Sequence, residues 1–284
     1  MDVANSPAPS ADISPQDYAA FCEFLEEACG IVLGDNKHYL VKSRLNRLIG
    51  EYGLGTFAQL MAELKRGSNR KLRESIIDAM TTNETMWFRD AYPFEILKQH
   101  ILPELAKQRS PRVRFWSAAC SSGQESYSIS MAFSEFQLSN PGAFTGALEI
   151  VGTDISPSML RNAREACYDE MMVRRGLSEE RRTRFFQRVP RGCWEVKPEV
   201  RNRVRFQELN LLQSYALLGK FDVVFCRNVL IYFSSDIKRQ ILARISQTMS
   251  SGAYLFLGGS ESPTGYSDEF EMLRMPQGVL YRKR

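Results

Sequence analysis

The sequence has few of the residues on which metal centres and hydrolytic triads depend. Only two of its 284 residues are histidine, and its six cysteines form no C-x-x-C pair. The scattered cysteines predict neither a zinc site nor a disulfide framework, so we expect reduced thiols that act as small apolar side chains. Neither His38 nor His100 has neighbours that resemble metal ligands.

Long apolar runs are also missing, since no stretch approaches the roughly 20 residues of a membrane-spanning helix. Met1–Asp12 is rich in Ala, Pro and Ser and lacks the basic and apolar regions of a signal peptide. We therefore expect a disordered tail and a cytoplasmic protein. The net charge of +4 is too small to indicate nucleic-acid binding by itself, although basic residues cluster in Lys37–Arg47, Lys65–Arg73 and Arg174–Arg205.

Residues 13–108 have helical patterns throughout. Ser14 before Pro15 predicts a first helix that ends at Gly30. Further helices are predicted over Asn36–Glu51, from Thr56 through Lys65, over Asn69–Met80, and from Asp90 onward with a kink or split at Pro103. We expect a helical N-terminal domain over 13–80 and a linker with a helix over 81–111.

From Arg112 onward, predicted strands alternate with predicted helices. The strands are Val113–Trp116, Glu149–Thr153, Val204–Leu209, Phe221–Cys226 and Ala253–Leu257, followed by a hairpin around Pro276-Gln277. This alternation is typical of an α/β doubly wound, mostly parallel sheet with an antiparallel edge, here over 112–284. The connection over about 168–203 is too long for a loop and predicts a small inserted β-subdomain.

Small and polar residues follow the predicted strands, where such sheets bind ligands. The loop Ser117–Gly123 consists of small residues before a helix, but its single glycine departs from G-x-G-x-x-G, which weakens the case for hydride transfer. Asp154 ends the second strand, where it can hold ribose hydroxyls or cap the next helix; the two roles can coexist, and we favour the ribose. Together these features predict a cofactor that contains a nucleoside.

Three further segments are candidates for the site. Asn210 either offers its amide to an adenine edge or is a plain turn residue. Arg227 and Asn228 interrupt an apolar run at the end of the fourth strand, which favours ligand contact. The segment 80–89 is either a linker with cap residues or, given its polar donors beside two aromatic side chains, a lid.

Four separated motifs resemble the CheR family of chemotaxis receptor methyltransferases. They are Thr81–Thr85 with Phe88-Arg89, Trp116–Ala119 with Gly123–Ser128, Thr153–Ile155, and Phe225–Phe233. The resemblance covers residues 15–283 and implies a Rossmann-like class I methyltransferase that uses S-adenosylmethionine and releases S-adenosylhomocysteine. It implies the formation of γ-methyl esters on glutamates in the cytoplasmic coiled coil of methyl-accepting chemotaxis receptors.

The resemblance also assigns roles to residues. Cofactor-binding roles are implied for Asn83, Thr85, Arg89, Glu125, Asp154, Asn210, Leu211, Arg227 and Asn228. Arg89 and Tyr232 would act as the catalytic residues that flank the incoming carboxylate. A glutamate is already ionised at neutral pH and needs no general base, which agrees with the scarcity of histidine. Gln124 replaces a glutamate common in the family, with little expected consequence because Glu125 remains.

The second helix resembles the receptor-contacting helix of the family. Lys37, Arg44 and Arg47 lie on one side of it by helical spacing. They form either a basic face for acidic receptor helices or a solvated face with Arg44 at the edge of the apolar stripe; the resemblance favours receptor binding. Some members dock a receptor pentapeptide on the inserted subdomain, but the stretch between Phe186 and Val204 is short, so we expect a tether-independent enzyme. Separately, we expect a monomer.

Two other functions remain as alternatives. One is a methyltransferase for RNA or another protein, which would use the basic clusters. Against it, the fourth strand ends in Cys226–Val229 and not in the N/D-P-P-Y type of motif that amino-methylating nucleic-acid enzymes use. The other is a non-catalytic module that binds S-adenosylmethionine, and the joint presence of Arg89, Glu125, Asp154 and Tyr232 speaks against it.

Overall fold

The computed structural model describes residues 13–284, which form two compact units that divide between Thr82 and Asn83. The predicted tail, Met1–Asp12, lies outside the described residues. Residues 83–111, predicted as a linker with a helix, belong to the second unit. Over residues 13–284, none of the helices has the length and hydropathy that a bilayer crossing requires.

Within residues 13–82, the first unit contains four helices whose ends are set by local hydrogen bonds. They are α1 (Pro15–Cys29), α2 (His38–Glu51), α3 (Phe57–Arg66) and α4 (Arg70–Met80). The side chains of Ser14, Thr56 and Asn69 accept backbone N–H groups in the first turns of α1, α3 and α4, as N-caps do. Helix α2 begins two residues later than predicted, and Lys37 at its start makes no side-chain cap. Each helix buries one apolar stripe, and Phe21, Leu45 and Ile76 are fully enclosed.

The first helical segment of the second unit is split, as Pro103 predicts. It consists of α5 (Tyr92–Ile96), a π-helical turn (Leu97–Ile101) and α6 (Leu102–Lys107). Pro103 lies in the first turn of α6, where its missing N–H costs nothing, and the π turn absorbs the change of register just before it. Helix α5 starts after Asp90 because Asp90 and Ala91 both have positive φ.

The strands of the second unit form two sheets, and its remaining helices follow or precede them in the chain. The strands are β1 (Arg112–Ala118), β2 (Ala147–Asp154), β3 (Cys167–Tyr168), β4 (Phe186–Arg188), β5 (Trp194–Val196), β6 (Val204–Glu208), β7 (Phe221–Cys226), β8 (Met249–Leu257), β9 (Phe270–Met275) and β10 (Gly278–Lys283). The helices are α7 (Gln124–Ser139), α8 (Pro157–Glu165), α9 (Glu170–Arg174), α10 (Glu179–Phe185), α11 (Pro198–Arg201) and α12 (Ser235–Gln247).

The large sheet has the order β6-β2-β1-β7-β8-β10-β9. Strands β6, β2, β1, β7 and β8 run parallel, and the terminal β9–β10 hairpin adds the antiparallel edge. Successive residues of the central strands face opposite cores: Phe115 and Phe225 pack on one face, Trp116 and Val224 on the other. The predicted α/β doubly wound fold with an antiparallel edge is confirmed.

The inserted β-subdomain is a three-stranded antiparallel sheet of order β3-β5-β4. Cys167 of β3 and Cys193 beside β5 form a disulfide with Cα atoms 5.7 Å apart. The prediction of reduced thiols is therefore wrong for these two cysteines. Their separation of 26 residues follows no recognisable spacing, and only the pairing of β3 with β5 brings them together.

Candidate active site

The loop after β1 is shaped for close approach by a ligand. Ala119, Ser121 and Gly123 all have positive φ, which is uncommon for the first two residue types. A Cβ atom at Gly123 would lie 3.0 Å from Ala163 Cβ and 3.1 Å from Phe206 Cζ, so glycine is required where α7 begins. The turn therefore presents backbone, with little side-chain bulk, at the carboxyl edge of the sheet.

Asp154 holds this loop in place from the end of β2. Its side chain is buried, Oδ2 accepts the Ser121 N–H at 2.7 Å, and Oδ1 accepts the Ser156 N–H at 2.9 Å. The cap of α8 is Ser156, whose hydroxyl accepts the Met159 N–H. The helix-capping alternative for Asp154 is thus wrong, and its carboxylate instead joins the ends of β1 and β2.

Glu125 and Arg227 form a buried ion pair between the first turn of α7 and the end of β7. Arg227 Nη1 lies 3.0 Å from Glu125 Oε2, and the Arg227 side chain is 1% exposed. Its Nη2 donates to Asp90 Oδ2 at 2.6 Å and to the Arg89 carbonyl at 3.0 Å. Glu125 Oε1 accepts the Ser117 hydroxyl at 2.8 Å. Arg227 therefore fastens the segment before α5 to the sheet edge.

The segment 83–91 packs against the carboxyl edge of the large sheet. It contains the predicted site residues Asn83, Thr85 and Arg89. The Asn83 carbonyl accepts the Ser121 hydroxyl at 2.9 Å. Thr85 and Arg89 are half-buried, and Arg89 Nη1 donates to the carbonyl of Glu84 at 3.1 Å. Three residues of this segment, Phe88, Asp90 and Ala91, have positive φ. Strained backbone of this kind is characteristic of functional sites.

The loops after β6 and β7 complete the edge. Asn210 Oδ1 accepts the Leu212 N–H at 2.9 Å, so this residue forms a turn, and Leu211 beside it is buried. Asn228 has a φ of 59°, and Tyr232 is half-buried at the end of a 3₁₀ turn. The parallel topology thus brings together the predicted residues that follow four separate strands.

Two cysteines in this region, Cys120 and Cys226, are buried. Burial raises the pKa of the Cys120 thiol well above its usual value, and the nearby carboxylates of Asp154 and Glu125 raise it further. Burial likewise raises the pKa of Cys226, with added contributions from Glu261 and Glu125. Both shifts act against formation of a thiolate near neutral pH.

The three basic residues predicted to bind substrate lie in the first unit and differ in their surroundings. Lys37 and Arg47 are exposed, and Arg47 Nε pairs with Glu51 Oε1 at 2.6 Å. Arg44 is half-buried and donates to the carbonyls of Met80 at 2.6 Å and Thr81 at 3.1 Å. Arg44 therefore satisfies carbonyl groups at the end of α4, a role that neither sequence-based alternative contained.

Sequence reasoning missed two acidic residues of the site. Asp90 binds Arg227, and Glu261 accepts three backbone N–H groups near the end of β8. A signal was available for Glu261, because it follows Gly258-Gly259 directly after a buried parallel strand. The sequence around Asp90 gave no such signal, since an acidic residue before a helix normally predicts an N-cap.

Both units resemble known proteins. Residues 16–81 match the family model described as CheR methyltransferase, all-alpha domain, and residues 83–279 match CheR methyltransferase, SAM binding domain. The chain is 51% identical to chemotaxis protein methyltransferase Cher2 of Pseudomonas putida, over 94% of this chain and 98% of the relative. It is 53% identical to chemotaxis protein methyltransferase 1 of Pseudomonas aeruginosa, over the same shares, and 50% identical to chemotaxis protein methyltransferase 1 of Vibrio cholerae, over 95% and 98%. The chain therefore belongs to the CheR methyltransferase family, whose cofactor is S-adenosylmethionine.

Proposed function

We propose that this chain methylates glutamate side chains of chemotaxis receptors, in the cytoplasm and on the coiled-coil region of the receptor. The observation that carries the proposal is the placement of Arg89 and Tyr232 in a chain with only two histidines. The Arg89 carbonyl accepts a hydrogen bond from Arg227 just after β7, and Tyr232 lies in the 3₁₀ turn that follows the same strand. His38 stacks on Tyr18 in the first unit, and His100 lies in the π-helical turn. Such a site suits an acceptor that is already ionised.

The residues at the sheet edge fit S-adenosylmethionine. The Gly123 turn leaves backbone open beside two carboxylates, Glu125 and Asp154, which suit the ammonium group and the ribose hydroxyls of the cofactor. When bound, the cofactor supplies an electrophilic methyl group on a positively charged sulfur. The residues proposed to hold it are Asn83, Thr85, Arg89, Glu125, Asp154, Asn210, Leu211, Arg227 and Asn228.

The roles of these residues are not equal. Arg227 acts through Glu125 and the Arg89 backbone, because both of its terminal nitrogens are already engaged. Arg89 and Tyr232 are proposed to hold the acceptor carboxylate, the guanidinium by charge and the phenol by a donated hydrogen bond. No proton has to be removed from the acceptor, so alignment and exclusion of water are the main tasks of the site.

Receptor recognition is proposed for the exposed side chains of α2. Lys37 and Arg47 offer positive charge that an acidic helical bundle attracts. Arg44 contributes to the same helix surface, but its hydrogen bonds to α4 give it a structural task as well. The Lys37→Glu/Arg47→Glu variant therefore tests recognition cleanly, whereas Arg44→Glu also disturbs the end of α4.

The test uses a cytoplasmic receptor fragment and S-adenosylmethionine with a labelled methyl group. We expect base-labile label on the fragment, and none on a matched fragment whose methylated glutamates are changed to aspartate. Lys37→Glu/Arg47→Glu should bind S-adenosylhomocysteine normally in calorimetry but methylate the fragment more slowly, most clearly at low salt. Label that goes to RNA instead, or cofactor binding without transfer to any acceptor, would refute the proposal.

A further inference from the structure

Glu261 is a buried carboxylate that touches the loop carrying Asn228 and Tyr232. Its Oε2 accepts the N–H groups of Asn228 and Gly258, each at 2.7 Å, and its Oε1 accepts the N–H of Ile231 at 3.3 Å. The residue is 9% exposed. It makes no ion pair within residues 13–284, so backbone N–H groups supply its described polar contacts.

There is little space where Glu261 meets Gly258 and Asn228. A Cβ atom at Gly258 would lie 2.6 Å from Glu261 Oε2 and 2.7 Å from Asn228 Nδ2, so the two loops pass each other at a point that only glycine permits. Asn228 adopts a φ of 59° at the same point. A strained residue persists only where its surroundings over-determine the conformation, and here the carboxylate provides that constraint.

The hydrogen bond from the Ile231 N–H to Glu261 extends this backbone constraint to the turn that contains Tyr232. Ile231 lies within the 3₁₀ turn Leu230–Tyr232, whose first N–H groups have no partner inside the turn. A carboxylate satisfies such groups better than water does, because its charge strengthens the hydrogen bonds. Glu261 therefore fixes both the start of the loop, at Asn228, and the turn from which Tyr232 projects.

We propose that Glu261 is a positioning residue for methyl transfer, which sets the backbone of loop 227–233 and through it the place of Tyr232. The proposal rests on the proposed function, because Tyr232 owes its role to that function. Misplacement of a reacting group by about 1 Å can lower a rate about a hundredfold. Loss of the carboxylate should therefore reduce turnover without loss of the fold.

The test compares Glu261→Gln and Glu261→Ala with a matched control, Glu269→Gln, in which an exposed glutamate of the same region is changed. The amide of Glu261→Gln keeps the shape but can accept through one atom only. We expect turnover on the receptor fragment to fall roughly 10- to 100-fold in Glu261→Gln, and to stay at the wild-type value in Glu269→Gln. Wild-type turnover in Glu261→Gln would overturn the proposal.

A double-mutant cycle with Tyr232→Phe separates positioning from general damage. If Glu261 acts through Tyr232, Glu261→Gln should add little to the loss already caused by Tyr232→Phe. Effects that multiply fully would show that Glu261 acts elsewhere and would overturn the proposal.

Hydrogen exchange gives a readout that does not need the receptor. The amides of Asn228 and Ile231 should exchange faster in Glu261→Gln than in Glu269→Gln, and unchanged exchange would overturn the proposal. This measurement decides whether Glu261 fixes the backbone of loop 227–233 even if the wild-type chain fails to methylate receptor glutamates. That failure would refute the proposed function and the role in methyl transfer, but not the hydrogen-bonded constraint on the loop.

Discussion

Replacement of Arg227 by methionine tests the buried network that joins α7, β7 and the segment before α5. The side chain of Arg227 is 1% exposed, that of Glu125 is 14% exposed, and Asp90 is 43% exposed. Removing one partner of a buried ion pair leaves an uncompensated charge and costs about 3–5 kcal/mol. Since water reaches Asp90 but not Arg227, the charge that the substitution leaves buried is mainly that of Glu125. We therefore expect Arg227→Met to lower the free energy of unfolding by about 3 kcal/mol.

The structure supplies a matched control for this substitution. Arg239 pairs with Asp236 at 2.6 Å, but the two side chains are 52% and 86% exposed. Exposed pairs contribute about 0–1 kcal/mol, so Arg239→Met should leave the free energy of unfolding nearly unchanged. A second variant, Arg227→Met with Glu125→Gln, removes the stranded charge and should recover part of the lost stability.

Urea unfolding followed by tryptophan fluorescence is the appropriate assay. The three tryptophans, Trp87, Trp116 and Trp194, all lie in the second unit, so the signal reports on the unit that contains Arg227. Linear extrapolation then gives the free energy of unfolding for each variant. If Arg227→Met loses no more stability than Arg239→Met, the network has no energetic role and the reasoning is refuted.

Three further predictions concern the cofactor, the acceptor and pH. Asp154→Ala should weaken S-adenosylhomocysteine binding about tenfold or more, because a charged acceptor is lost at the sheet edge; unchanged affinity in calorimetry would contradict the assignment. Arg89→Ala should lower turnover more than cofactor affinity, and equal losses would place Arg89 in cofactor binding alone. Burial acts to raise the pKa of Glu135, but hydrogen bonds from Arg181 and Lys98 outweigh it and hold the pKa below its ordinary 4.5. The wild type should therefore be more stable than Glu135→Gln above pH 4.5 and lose this advantage as the pH falls through the lowered pKa; a difference in urea midpoint that does not change with pH would contradict it.

The helices and strands follow from signals that act over a few residues. Ser14, Thr56 and Asn69 each cap a helix by accepting a backbone N–H three residues away, so their role is already present in the order of the side chains. The continuous apolar run of β7 and the polar residues directly after it predict a covered parallel strand with a ligand at its carboxyl end. The motifs after β1 and β2 are local in the same way.

The misses have a different origin, since each depends on residues far apart in the chain. Cys167 and Cys193 meet because β3 pairs with β5, and no spacing rule marks them as partners. Arg44 binds carbonyls 36 and 37 residues further on, which its place beside an apolar stripe does not reveal.

The sequence by itself determined the order of the elements and the polar residues that end the strands, because periodicity and capping are local properties. Only the tertiary structure decided which of those residues hold one another. Arg227 reaches Asp90 and Glu125 across 137 and 102 residues, and Glu261 reaches Asn228 across 33. Such pairings arise when parallel strands bring their ends to one edge, where a charge removed from water must find a partner.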